Sequence, residues 1–374
     1  MNTAACGISY RMRNVRLGIL LVVSILVVAP ARASVIARHR PMHPDNTQPV
    51  TFEASATMAD RVILSYERST LSTAPDGTHV LTPAEPETTM KECNPRGSSS
   101  TFTCTHTMPF AFPANSLITF TARAFDIEGT STEKYAFAAG DYPWPDDPIP
   151  IRLKGDTVSK LDTVFIPDAD ITVTDFRDRL DEVIELFFRY DPILRWRGMH
   201  NFWYSGQQGN YEEFCKFTNP PNMANLTAIA DAVAFLHTTV LRDCSNIPRM
   251  SSEIDDDKTM VHESAHTLYG LQDEYCCNTK YKPQPCAPNI YDSLASCEAD
   301  APALGYAASD CTQLSGGTTT LNVWRIDPST EPACIMGPNQ NKASSLFRAA
   351  CERRLQWRYG KCSGGNCFPS TECP

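Results

Sequence analysis

At 374 residues, 42% hydrophobic and 20% charged, the chain has ordinary globular composition and enough length for two domains. Its formal net charge of −10 lacks the basic excess that nucleic acid attracts, which excludes that class of partner.

The first 33 residues read as a cleavable leader. Arg11, Arg13 and Arg16 precede a mostly apolar run over residues 17–28, and Pro30 and Ala31-Arg32-Ala33 follow it, the order of a secretory signal peptide. The run is about 12 residues long, short of the roughly 18 to 20 that span a bilayer as a helix, so no stable membrane insertion is expected after cleavage. The leader carries four arginines and no acid, leaving 29 basic against 43 acidic residues. Cys6 leaves with it, and the other 14 cysteines form an even set in a chain addressed to an extracellular or periplasmic compartment, where disulfides form.

Residues 34–148 read as a β-sandwich. Short β-rich runs at 62–66, 101–105, 117–125 and 135–138 are separated by turn residues, and Ile118, Phe120, Ala122 and Ala124 alternate with outward positions as in a half-buried strand. A turn is expected at residues 126–129, and Cys93 and Cys104 are placed to staple this unit. Four prolines within residues 141–150 then stiffen the chain and mark a boundary.

From 149 to 374 the grammar changes to alternating strands and helices, giving a mixed α/β, or α+β, fold class overall. Residues 161–166 form a buried strand, and Phe176, Leu180, Val183, Ile184 and Phe187 recur at helical spacing. Residues 201–204 supply a second strand. Leu226, Ile229, Val233, Leu236 and Val240 then read as one stripe of a further helix after Pro220-Pro221-Asn222, with His237 on its surface or packed. Asp255, Asp256 and Asp257 read as a solvated turn.

The segment with chemistry in it covers residues 259–275. His262 and His266 stand four apart, so on a helix both imidazoles lie on one face, about 5 to 6 Å apart, and can converge on a tetrahedral zinc ion. Val261, Ala265 and Leu268 give the same helix an apolar face, and Gly270 is the residue to end it in a left-handed cap. No histidine follows His266, so a downstream third ligand must be another residue type, and zinc accepts oxygen: Asp273, just after the glycine turn, is the choice, with Glu274 its competitor. Glu298 or Glu352 would serve in a peptidase class whose ligand lies on a later helix. Glu263, about 100° round the helix from His262, faces a metal-activated water rather than the metal and is the general base for peptide hydrolysis.

The string His262-Glu-x-x-His266-Thr-x-x-Gly270-Leu-x-Asp273-Glu274-Tyr275 resembles the motif of the bacterial immunoglobulin A metallopeptidase family. The resemblance spans roughly residues 156–361 and includes the stretches 161–168 and 190–203. Cys334-Ile335-Met336-Gly337 is similar to the methionine-containing turn beneath zinc in the metzincin-like group. It implies a metzincin-like zinc endopeptidase domain preceded by an immunoglobulin-like β-sandwich. His262, His266 and Asp273 would be the metal ligands, Glu263 the catalytic base and Met336 a structural support, acting on protein or peptide substrates. Cys276-Cys277 and the cysteine-bearing stretch to Cys311 depart from the family pattern, so immunoglobulin cleavage does not follow. The competing reading is a secreted binding or adhesion protein with an inert peptidase-like domain.

Overall fold

The computed structural model describes residues 33–363 apart from 75–78, 95–100, 128, 141–147, 275–282, 285, 317–318, 330–333 and 338–346. The expected leader, except Ala33, lies outside the described residues, as do most of the proline-rich boundary and Cys276-Cys277. The fold is mixed α/β with more strand than helix. No helix among the described residues is long and apolar enough to cross a membrane.

Seven strands open the chain: β1 (Ser34–Arg40), β2 (Pro49–Thr57), β3 (Arg61–Thr73), β4 (His79–Cys93), β5 (Thr101–Ala111), β6 (Ser116–Asp126) and β7 (Gly129–Ala139). They form a three-stranded sheet, β1-β2-β5, and a four-stranded one, β4-β3-β6-β7. Val35, Phe52 and Ala54 from the first share one core with Leu64, Ile118 and Phe120 from the second. Alternation produces this arrangement: Ile118, Phe120, Ala122 and Ala124 are fully buried, and the Asp126 to Gly129 pairing closes the β6–β7 hairpin. Cys93 and Cys104 are disulfide-bonded across β4 and β5, the staple expected for this unit.

A third, six-stranded sheet has β8 (Ile149–Arg152), β9 (Leu161–Pro167), β10 (His200–Tyr204), β13 (Ala232–His237), β14 (Ser245–Asn246) and β15 (Arg249–Glu253), in the order β14-β15-β13-β9-β10-β8. The small hairpin between β10 and β13 consists of β11 (Asn210–Glu212) and β12 (Lys216–Thr218). The four inner strands run parallel, and β8 and β14 are antiparallel edges. Both faces of this sheet are covered, as parallel strands require. Phe165, Ala234 and Leu236 pack beneath helices α1 (Val173–Asp178), α2 (Leu180–Phe187) and α4 (Asp257–Tyr269), while Ile166, Val233 and Phe235 meet α3 (Met223–Ile229) and the β11–β12 hairpin.

One expectation is corrected here. The apolar series from Leu226 to Val240 is not one helix: α3 stops at Ile229, and Ala232–His237 is a central strand. Ala232, Ala234 and Leu236 face one layer and Val233 and Phe235 the other, a two-sided burial that puts Val233 and Leu236 at helical spacing by coincidence. His237 is packed, fully buried at the end of that strand. The chain continues through α5 (Leu294–Asp300), a hairpin of β16 (Cys311–Gly316) and β17 (Thr319–Ile326), and α6 (Ala349–Ser363), with a Cys297–Cys311 disulfide joining α5 to β16.

The two sheet systems meet through charge. Glu133 on β7 is buried and faces Arg152, 2.9 Å away, Arg197 at 3.5 Å, and Lys154. Burial alone would raise the Glu133 carboxyl, but these cations outweigh it and hold it below the ordinary range. Three cations share one carboxylate, and Lys154, desolvated beside Arg152, falls to about 7. Removing the acid leaves buried cations uncompensated, so Glu133→Gln should lower unfolding free energy by about 3 kcal/mol near neutral pH in denaturant titrations. A depressed carboxyl stabilises above its unfolded pKa, so the deficit should shrink as pH falls below about 4. A deficit that persists unchanged into acid would contradict this assignment.

Candidate metal centre

Helix α4 begins where Asp256 accepts hydrogen bonds from the backbone N–H groups of Lys258, 3.0 Å, and Thr259, 3.1 Å. The three adjacent aspartates are thus more than a solvated turn: the middle one is an N-cap. Val261, Ala265 and Leu268 are buried in the main core. Gly270 ends the helix at φ 66° with its N–H on the carbonyl of His266 at 3.0 Å, an αL cap, and the N–H of Leu271 reaches the carbonyl of Ala265 at 3.0 Å. Arg354 and Arg358 of α6 donate to the carbonyls of Tyr269 and Leu268, at 2.7 and 3.0 Å, where the helix dipole is negative.

That reversal carries the chain back over the histidines. The imidazoles of His262 and His266 have centroids 4.9 Å apart, nearly perpendicular. Asp273 Oδ1 lies 3.1 Å from His262 Nε2 and 3.2 Å from His266 Nε2. The donor atoms of all three residues lie within 4.8 Å of one another. Glu274 turns away from them: its N–H donates to the carbonyl of Met336 at 2.7 Å, and its buried carboxylate accepts from Asn289 at 3.2 Å and lies beside Cys351. Glu298 is exposed on α5 and Glu352 pairs with Arg195, so neither approaches the histidines.

Two backbone carbonyls set the ring orientations. His262 Nδ1 donates to the carbonyl of Ile335 at 2.9 Å, and His266 Nδ1 donates to that of Leu271 at 2.7 Å. A carbonyl only accepts, so each Nδ1 carries a proton and each Nε2 is the ring nitrogen left to face Asp273. Ile335 and the fully buried Met336 belong to the turn at residues 334–337, where the N–H of Gly337 bonds the carbonyl of Cys334 at 2.7 Å. Leu271, Ile335 and Asn289, which brackets Gln272 through its amide at 2.7 and 3.0 Å, were not legible as site residues. The need of a metal-facing histidine for an acceptor on its other ring nitrogen was the only signal for them, and it does not say which carbonyl.

Three acceptor atoms gathered out of water repel unless a cation or a proton lies among them. Without metal the proton answers: burial disfavours a charged His266, yet the hydrogen bond and charge of Asp273 raise it to about 9. Burial likewise opposes ionisation of Asp273, and hydrogen bonds from both histidines overcome it, holding the carboxyl far below its usual range. Two imidazoles and a carboxylate are a donor set that zinc accepts while keeping a fourth position open, so the residues fit that ion. Glu263, 6% exposed, is raised by burial, with His262 and His266 opposing and Asp273 and Asp243 adding to the rise.

His262, Glu263, His266 and Asp273 line one cleft of roughly 940 Å³. Edge strand β14 and the segment leading into it, residues 240–244, form the facing wall. Behind the site, Cys334 and Cys351 bury their sulfurs 3.0 Å apart beside Glu274.

No family model and no curated protein matches the chain. Among solved structures, the sporulation control protein Spo0M of Bacillus subtilis is 13% identical over 31% of this chain and 52% of its own, with a TM-score of 0.21. A β-glucuronidase of Bacteroides uniformis is 7% identical over 63% of this chain and 25% of its own, with a TM-score of 0.19. The chain therefore spans about half of the first and a quarter of the second, and likeness at this level carries no functional argument.

Gly270 is the conformational pivot of the site. A Cβ there would adopt a left-handed backbone and stand 3.2 Å from the Arg354 guanidinium. Gly270→Ala should cost about 1 to 2 kcal/mol in thermal or denaturant unfolding and weaken metal uptake by displacing Asp273. Wild-type stability together with wild-type metal affinity would show that the turn does not set the site.

Proposed function

We propose that the chain is a secreted zinc-dependent endopeptidase acting on extracellular protein or peptide substrates. The observation that carries the reading is the meeting of His262 Nε2, His266 Nε2 and Asp273 Oδ1 on one wall of an open cleft, with Glu263 on the same helix. His262, His266 and Asp273 would hold the ion, and the sandwich and the metzincin-like domain are proposed as separate units of the secreted chain. When bound, zinc supplies Lewis acidity that acidifies water toward a pKa of about 7 and polarises a carbonyl.

The chain's own residues do the remainder. Glu263 lies in the cleft, and its burial raises its proton affinity. It can therefore take a proton from water and return it to a departing amine, as a general base followed by a general acid. Ile335 and Leu271 keep both Nδ1 protons engaged, so the rings present the neutral ligand form. Ser245 and Asn246 line the cleft on an edge strand with open backbone groups, which an extended peptide can pair by strand addition.

The mature protein should bind about one zinc per chain and cut unfolded protein in a chelator-sensitive manner. Glu263→Ala should keep the metal and lower cleavage by roughly 10² to 10⁴-fold, whereas His266→Ala and Asp273→Asn should lose metal and activity together. Elemental analysis run beside a quenched-peptide assay measures both. Activity surviving in Glu263→Ala would remove Glu263 from the chemistry.

A further inference from the structure

The cleft wall opposite α4 has features that metal binding leaves unused. It is built from Phe214-Cys215 and residues 240–247, and the Cys215–Cys244 disulfide clasps the two segments together. Its rim is apolar and open: Phe214, Val240 and Ile247 are 68%, 86% and 61% exposed. Large apolar side chains left this exposed around one cleft mark a contact surface.

Deeper, the same wall becomes acidic. The Asp243 side chain is 3% exposed, and its Oδ1 accepts from His237 Nε2 at 2.7 Å. His237 Nδ1 faces the carbonyl of Thr239, also at 2.7 Å. Both ring nitrogens therefore meet acceptors, and the ring is held as a cation, which balances one carboxylate. Beside Asp243 stand Ser251 and a second acid, Glu253, whose carboxyl shares a hydrogen bond with it. Burial, together with the hydrogen bond and charge of the neighbouring Asp243, pushes Glu253 up to about 7 against the opposing charge of His237. Asp256, Glu263 and Asp273 add further acids to the cleft, and the exposed Arg242 is the basic side chain on this wall.

An apolar rim leading to a buried acidic floor matches a side chain with a long hydrocarbon stem and a cationic head. Resting on the reading of the cleft as a peptidase cleft, we propose that this wall is a specificity subsite for arginine in the substrate. The stem lies along Phe214, Val240 and Ile247, and the guanidinium donates to Asp243 and Glu253. The guanidinium's planar fork suits two neighbouring carboxyl groups better than the compact ammonium of lysine and displaces the proton they share, so lysine binds more weakly.

The test uses quenched peptides identical except at one position near the scissile bond, carrying arginine, lysine, citrulline or norleucine. Citrulline keeps the shape and removes the charge. At one position kcat/KM should favour arginine over citrulline by about tenfold or more, the yield of a charge-assisted hydrogen bond. Glu253→Gln should bring that ratio close to one, and Asp243→Asn should do the same; if the latter fails to fold, the half-buried Glu253 carries the test alone. Equal cleavage of the arginine and citrulline peptides at every position, or an unchanged ratio in Glu253→Gln, overturns the proposal. If no peptide is cut, the peptidase reading fails separately, and equilibrium binding of the same labelled peptides decides the subsite: tighter binding of arginine than citrulline upholds it, and equal binding overturns it.

Discussion

Three atoms that all seek a positive partner, two imidazole nitrogens and a carboxylate oxygen, are forced together where little water reaches them. Each ring is fixed by a carbonyl on its far nitrogen, so neither can rotate its Nε2 away without losing a hydrogen bond. Left without a cation, the group is satisfied only by retaining a proton on His266. The site therefore stores an electrostatic demand that a divalent ion would answer in place of that proton.

The surroundings meet that demand from several directions. Helix α4 is fixed at its start by the Asp256 cap and at its end by Gly270 and two arginines of α6. The strap after Gly270 is held by Asn289 and by the carbonyl of Met336, and the turn at 334–337 meets His262 from below. Arg358 also pairs with Asp231 at 2.8 Å, so α6 connects the helix end to the segment entering β13. Restraints from separate parts of the chain give the centre the rigidity that ligand geometry needs.

Legibility in the sequence followed the range of each interaction. Spacing within one helix was readable: His262 and His266 share a face, Val261, Ala265 and Leu268 share another, and Gly270 stops the turn, because local periodicity fixes all three. Alternation along β6 was readable for the same reason. The segment from Leu226 to Val240 was misread because a strand buried on both faces has apolar residues at almost every position, which satisfies a helical stripe by coincidence. The choice between Asp273 and Glu274 was open in sequence, since adjacent residues differ only in direction. Met336, 62 residues downstream, takes the Glu274 backbone N–H in the fold. The His237, Asp243 and Glu253 group was invisible because its members come from three separate segments joined only by the sheet.

Zinc-edge anomalous diffraction from crystals of the zinc-loaded mature protein would locate the ion itself. One strong peak is expected about 2.0 to 2.2 Å from His262 Nε2, His266 Nε2 and an Asp273 carboxylate oxygen. A fully loaded crystal with its peak elsewhere, such as among Glu274, Cys334 and Cys351, or with no peak near the histidines, would contradict it.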